Sequence, residues 1–374
     1  MHTTEFQLDD SIVYLNHAAV SPWPRRTADA VSAFATENLA WGSRRYPEWV
    51  KTETRLRQQL QTLINARSAD EIALLKNTSE SLSVVAYGLP WRAGDKVVIS
   101  NQEFPSNRIV WESLAKYGVT TEAADLSQDD TPEDALIACL DNSTRLLSVS
   151  SVQYATGLRL DLGKLGSACH KRGILFCVDA IQSLGAIAMD VQAAGIDCLA
   201  ADAHKWLLGP EGIAIFYCKP GLREQLALHQ FGWHMLRDAG NFDSHDTTPA
   251  ASARCFECGS PNMLGIHAFS ASLSLLQEVG LAEVEAMLLA NNAYLMDGLQ
   301  HIDGVEVLTR REPGRYAGIM VFRVSGRDSA ELHARLVHSQ VLCAARGGGV
   351  RLSPHFYTPR HKLDKAIEVI SSTI

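Results

Sequence analysis

The stretch CLAADAHKWLLGPEG, residues 198–212, decides how this chain is read. Residues 198–201 are small and apolar, the composition of a strand buried on both faces. Lys205 stands just past that strand, between His204 and Trp206, and the Gly209, Pro210 and Gly212 that follow mark a turn. A lysine near a cation or in desolvating surroundings loses its proton readily and attacks carbonyl carbon. The plainer reading is a surface lysine in a turn. Trp206, Leu207 and Leu208 argue against full exposure.

The pattern around this stretch repeats. Strands are predicted at 71–76, 96–100, 146–152, 174–178, 198–201 and 213–217, with amphipathic helical runs at 55–64, 106–117 and 162–172 between them. Strand–helix–strand alternation implies a mostly parallel sheet with both faces covered. The character changes near residue 220. Residues 232–261 are irregular and rich in Gly, Asp, Ser, Thr and Pro; two long helical patterns follow at 262–279 and 281–299. Shorter strands at 305–308 and 319–324, a helix at 329–339 and a last strand–helix unit complete the pattern. The expected organisation is an N-terminal segment, 1–20, packed near the active site, a large α/β domain over 21–260 and a smaller α+β domain over 261–374.

In open α/β sheets, ligands sit outside the carboxyl ends of the strands. Asp179 closes one predicted strand, with Gln182 one helical turn later. A buried carboxylate needs a cationic partner, and a protonated pyridine nitrogen would supply one; a helix-capping aspartate is the competing reading. Thr78 and Ser79 lie where a strand gives way to a helix, which suits a phosphate, although a simple capping box has the same composition. Arg351 follows a run of three glycines and could fork onto a carboxylate, or be an ordinary salt-bridged arginine. Together these residues offer a nucleophilic lysine, a ring-nitrogen partner, a phosphate cradle and a carboxylate clamp. That is what a pyridoxal 5'-phosphate (PLP) enzyme acting on an amino acid requires.

Composition narrows the alternatives. The net charge is −8 and no basic patch stands out, which speaks against nucleic acid as a partner. No apolar run is long enough for a membrane span, and the first residues lack a basic run followed by an apolar one. A cytoplasmic location is therefore the expectation. Most of the eight cysteines lie in apolar surroundings and read as small core residues. Cys255 and Cys258 form a C-x-x-C without a second pair at zinc spacing, so no metal is expected. Neither a G-x-G-x-x-G nor a Walker lysine motif follows a strand, which argues against a nucleotide-binding protein.

These residues resemble the class V aminotransferase family, which includes cysteine desulfurases, kynureninase and isopenicillin N epimerase-like proteins. The resemblance runs from YLNHAA at 14–19 to the Arg351 strand and is strongest in the His204–Lys205–Trp206 block and its distance from Asp179 and Gln182. It implies an α/β fold, the PLP-dependent transferase fold type I, with a seven-stranded-type, mostly parallel sheet in the large domain. It also implies a homodimer with sites at the subunit interface. By resemblance, Lys205 is the Schiff-base lysine, Asp179 the pyridine-nitrogen partner and Gln182 the donor to the ring 3-hydroxyl. Thr78 and Ser79 are the phosphate pair, His204 a phosphate or ring contact, and Gly259 and Ser260 part of a loop reaching the neighbouring subunit's phosphate. Arg351 is implied for the substrate α-carboxylate.

Asp202 stands where the desulfurase branch often has serine. An anion would repel phosphate, so it is expected to point elsewhere or bind through another group. Phe104 replaces a histidine that stacks on the cofactor in desulfurases; it can stack but cannot shuttle protons. Desulfurases also carry a mobile loop with a nucleophilic cysteine before the carboxylate arginine. Here that loop is short and Cys343 lies in an apolar run, so a structural thiol is expected. The expected reaction is therefore transamination or a lyase reaction on an amino acid. A cysteine desulfurase or selenocysteine lyase-like enzyme and a non-catalytic PLP-fold binding protein are the alternatives. Asn16, His17, Trp41, Arg44, Tyr154 and His355 are candidate pocket residues, with packing or surface roles equally open.

Overall fold

The computed structural model describes residues 4–127 and 131–374. The first part of the chain forms β1 (Val13–Tyr14), α1 (Arg25–Trp41), α2 (Tyr46–Ile64), β2 (Ile72–Leu75), α3 (Thr78–Gly88), β3 (Lys96–Ser100), α4 (Ser106–Glu112) and β4 (Thr120–Ala124). There follow α5 (Pro132–Ala138), β5 (Thr144–Ser150), α6 (Leu162–His170), β6 (Leu175–Asp179), β7 (Cys198–Asp202), β8 (Ala214–Cys218) and α7 (Pro220–Arg223). Strands β2 to β8 make one seven-stranded sheet in the order β2-β8-β7-β6-β5-β3-β4. Every strand but β8 runs the same way; β8 is antiparallel to both neighbours. The connection that holds Lys205 contains no helix, so the chain turns straight back from β7 instead of crossing over.

The strands are apolar because both faces are covered. One face packs on residues of α2, α6 and the Met263–Val279 helix, the other on residues of α3 and α4. The edge strand β4, Thr-Thr-Glu-Ala-Ala, is mostly exposed, and for that reason its sequence carries no strand signal. The helix predicted at 106–117 ends as an α-helix at Glu112, continues as a 3-10 turn to Tyr117 and stops at Gly118, whose φ of 76° is left-handed.

The C-terminal part comprises α8 (Met263–Val279), α9 (Leu281–Leu299), β9 (Val305–Val307), β10 (Met320–Val324), α10 (Ser329–His338), β11 (Val341–Leu342), β12 (Ala344–Arg346), β13 (Gly349–Leu352) and α11 (Arg360–Thr373). Asn262 caps α8, accepting the Gly265 N–H at 2.9 Å. The apolar face of α8 belongs to the large core, whereas Leu295, Met296 and Leu299 of α9 belong to the C-terminal core. An antiparallel sheet in the order β12-β13-β10-β9 carries Arg351 on β13. Strand β1 pairs in parallel with β11, and Asn16 bridges to Ser353, so the N-terminal segment is sewn into the C-terminal part.

Candidate active site

The carboxyl ends of β2, β3, β5, β6 and β7 lie on one edge of the large sheet and deliver Thr78, Phe104, Tyr154, Asp179 and Lys205 from separate elements. Lys205 is largely enclosed. Burial pushes its ammonium down to about 8, partly offset by Asp179 and Asp202 and reinforced by Arg351. Its Nζ lies 5.7 Å from the centroid of the Phe104 ring. Phe104 meets Tyr154 edge to face at 5.1 Å and is 40% exposed, so part of its surface is free to pack on a flat ligand.

Asp179 is fully buried, and its Oδ1 accepts the Ile181 N–H at 3.0 Å. Burial, with nearby Glu103 contributing, raises its carboxyl to about 7. Gln182 is equally buried. Its Oε1 accepts the Trp206 indole N–H at 2.9 Å, and its Nε2 donates to the Ala18 carbonyl at 3.0 Å. At the start of α3, the Thr78 hydroxyl is buried without a partner, while Ser79 is exposed and donates to Ser106 at 2.8 Å.

Asp202, expected to point elsewhere or bind through another group, accepts the Thr78 backbone N–H through Oδ1 at 2.8 Å. Burial raises its carboxyl to about 6. His204 Nδ1 is 3.8 Å from Asp202 Oδ2. Burial, helped by Lys205, lowers its imidazole to about 4, so it stands neutral at pH 7.

Arg351 is 3% exposed. Its Nη1 donates to the Tyr154 carbonyl at 2.8 Å, its Nε is buried and unpartnered, and among the described residues no carboxylate pairs with it. Burial lowers it to about 10, which is unusual for a guanidinium and shows how little compensates the charge. Asn16 adds a buried, unpartnered Oδ1.

Other expected residues fall elsewhere. His17, expected to face a substrate, is fully buried and uses both ring nitrogens: Nδ1 meets the Ser353 carbonyl at 2.8 Å and Nε2 the Tyr357 hydroxyl at 2.6 Å. His355 is likewise buried, its Nε2 on the Trp206 carbonyl at 3.3 Å and its Nδ1 accepting the Phe356 N–H. Trp41 and Arg44 are exposed at the end of α1. Gly259 and Ser260 lie between Phe256 and α8. Cys343 is 5% exposed, and burial raises its thiol to about 12. Cys255 and Cys258 are free thiols. The grouping of metal-type ligands among the described residues is instead Glu53, His234 and Glu257.

Reading the sequence alone missed Glu103. Its buried carboxylate accepts from Ser100, Asn107, Ser150 and Gln153, and so clamps the loop that presents Phe104. The signal was thin: one acid beside a proline-containing turn.

The donors and acceptors left over suit PLP. The unpartnered Thr78 hydroxyl lies at a helix N-terminus. Asp179 is a buried anion that a protonated ring nitrogen would neutralise, and the open Phe104 ring flanks the amine of Lys205. Arg351 remains for a substrate carboxylate, and the Asn16 Oδ1 can accept from a ligand N–H or O–H.

Comparison with known proteins agrees. A probable cysteine desulfurase of Methanothermobacter thermautotrophicus is 29% identical over 94% of this chain and 92% of its own. A cysteine desulfurase of Yersinia pestis is 30% identical over 84% of this chain and 78% of its own. An uncharacterized aminotransferase, YcbU, of Bacillus subtilis is 28% identical over 90% of this chain and 88% of its own. Among solved structures, the cystine C-S lyase C-DES in complex with cysteine persulfide superposes with a TM-score of 0.90 at 21% identity, covering 97% of this chain and 98% of that one. The apo cysteine desulfurase of Thermococcus onnurineus gives 0.85 at 24% identity, covering 97% and 94%. At those identities the likeness speaks for the fold, which is fold type I as expected. The family model for class V aminotransferases matches residues 13–360, and the chain belongs to that family.

Proposed function

We propose that the protein is a PLP-dependent enzyme acting at the α-carbon of an amino acid, as an aminotransferase or a related lyase. The observation that carries this is the convergence of an enclosed lysine and a buried carboxylate, from one edge of the large sheet, with a buried arginine of the C-terminal sheet that no carboxylate compensates among the described residues. Lys205 would hold the cofactor covalently, with Asp179 at the ring nitrogen, Gln182 at the ring hydroxyl, Phe104 against the ring, and Thr78, Ser79 and His204 at the phosphate. Bound there, PLP supplies an electron-withdrawing ring that stabilises negative charge at the substrate's α-carbon. Arg351 orients the α-carboxylate by charge-assisted hydrogen bonds, with Asn16 and Tyr154 beside it. Lys205, with its lowered pKa, takes and returns the α-proton at Nζ near neutral pH. In this reading the chain works as a homodimer in the cytoplasm, and Gly259 and Ser260 face the partner's phosphate.

The printed names of the relatives raise cysteine desulfuration as a second reading. The geometry of Cys343 favours reactions that need no enzyme thiol, because a buried thiol held near 12 is a poor nucleophile. The test is an absorbance scan of wild type beside Lys205→Ala, before and after a panel of amino acids. A visible, borohydride-reducible band present in wild type, absent from the variant and shifted by particular amino acids is expected. Its absence after soaking with PLP would leave a non-catalytic binding protein. Sulfur release from cysteine that disappears in Cys343→Ala would restore the desulfurase reading.

A further inference from the structure

Trp206, the residue after Lys205, has a task beyond filling space. A side-chain amide can face two ways, since its oxygen and nitrogen are nearly the same size. At Gln182 both neighbours have fixed character. The indole N–H of Trp206 only donates, so the atom 2.9 Å from it must be oxygen. The Ala18 carbonyl only accepts, so the atom 3.0 Å from it must be nitrogen. All three groups are buried, where a wrong-way amide would leave two unsatisfied pairs. The flip is thereby forbidden, and Gln182 is left with its second Nε2–H as its one free donor.

We infer that Trp206 is a positioning residue: through its indole N–H it fixes the amide of Gln182 so that a donor, and not an acceptor, is offered to the cofactor. This rests on the PLP reading above. The indole is itself held in place. It shares a core cluster with Ala18, Val152, Ile187 and Ile319, residues from the N-terminal segment, the large sheet's loops and the position just before β10. Gly318 lies against its six-membered ring, and a Cβ there would collide with Trp206. Trp206 thus gathers three parts of the chain onto one amide beside the reactive lysine.

A donor to the ring hydroxyl stabilises its anion and sets the pH at which the lysine-linked chromophore changes colour. Loss of one such hydrogen bond to a charged oxygen is expected to move that midpoint upward by about one pH unit. The experiment titrates the visible band of the PLP-loaded protein in wild type, Trp206→Phe, Gln182→Ala and the double variant. The expected result is an upward shift in each single variant and no further shift when they are combined. Should Trp206→Phe fold poorly, the benzothiophene isostere of tryptophan at position 206 keeps the shape and deletes only the donor; Gly318→Ala, which displaces the ring, is expected to shift the midpoint the same way. A midpoint unchanged by the isostere while Gln182→Ala moves it would overturn the inference and leave Trp206 as packing. A wild type with no lysine-linked band at all would instead overturn the PLP reading, and this inference with it.

Discussion

Two buried charge clusters in this molecule look alike at first and differ in one respect. Arg57 donates to Glu257 at 2.6 and 2.7 Å, to Glu53 at 2.6 Å and to the Ile72 carbonyl at 2.8 Å, and Glu257 also accepts the Leu74 N–H at 2.8 Å. These carboxylates raise the Arg57 guanidinium above its usual range despite burial. His234 lies beside both acids, so the three ligand-type groups already enclose a cation, the guanidinium. Around Lys205 the sense is opposite. Lys205 and Arg351 are pushed down, Asp179 is pushed up, and buried atoms of Thr78, Asn16 and Arg351 lack partners. In the first cluster the charges are paired, although the His234 Nδ1 lacks a hydrogen-bond partner, and the pairing ties α2 to β2 and to the segment after Phe256. An unsatisfied cluster has bonding capacity that only a ligand can use.

The comparison breaks or sharpens by substitution. The largest effect is expected at Lys205. Lys205→Ala should abolish the lysine-linked band and lower turnover about a thousandfold or more, while the urea midpoint of the ligand-free protein stays the same or rises. Arg57→Ala should do the reverse. Stranding two buried acids is expected to cost about 3–5 kcal/mol in urea unfolding, with little change in the affinity of any protein that still folds. Equal destabilisation by Arg57→Ala and Arg351→Met would erase the distinction. Instead, Arg351→Met should leave stability within about 1 kcal/mol and weaken amino-acid binding roughly 10- to 100-fold, read from the spectral titration.

A pH series isolates Asp179. Its carboxyl titrates near 3.8 unfolded and is raised to about 7 when folded. The folded chain therefore keeps this proton longer than the unfolded one, and its contribution is lost as pH rises from about 4 to about 7. Ligand-free Asp179→Asn should gain on wild type across that window and run parallel above it. PLP, by placing a cation opposite the carboxylate, should shrink the gap. The smallest effect is expected at Cys343, where Cys343→Ala should leave activity unchanged and cost about 1 kcal/mol for the lost methylene-sized volume.

What could be read from the sequence follows the same division. The buried strands and the lysine after β7 announce themselves because burial on both faces demands uninterrupted apolar runs, and a charged residue just past one stands out. Strand β4 was invisible because an exposed edge needs no such run. Asp179, Gln182, Thr78 and Arg351 were legible as residue types at strand ends. Their partners were not: the Trp206–Gln182–Ala18 chain joins residues 164 positions apart in its longer link, and only the fold creates it. His17 shows the limit from the other side. A histidine in YLNHAA has the look of a pocket residue, and its two nitrogens go to Ser353 and Tyr357, both far along the chain. Asp202 looks like a misfit beside phosphate, and its bond from the Thr78 N–H rests on backbone geometry that no residue pattern records.

The parallel pairing of Val13 with Val341 bears on how the protein is made. On a ribosome the amino-terminal strand emerges first and must wait for its partner, at about 5–20 residues per second on the order of tens of seconds. Until then Ala18 cannot be fixed against Gln182, and Arg351 does not yet exist. A nascent chain can complete the large sheet and still lack a finished site. Binding of a substrate carboxylate must therefore wait for the C-terminal part, and chains cut short before Arg351 should lack the carboxylate clamp even where their large sheet is folded.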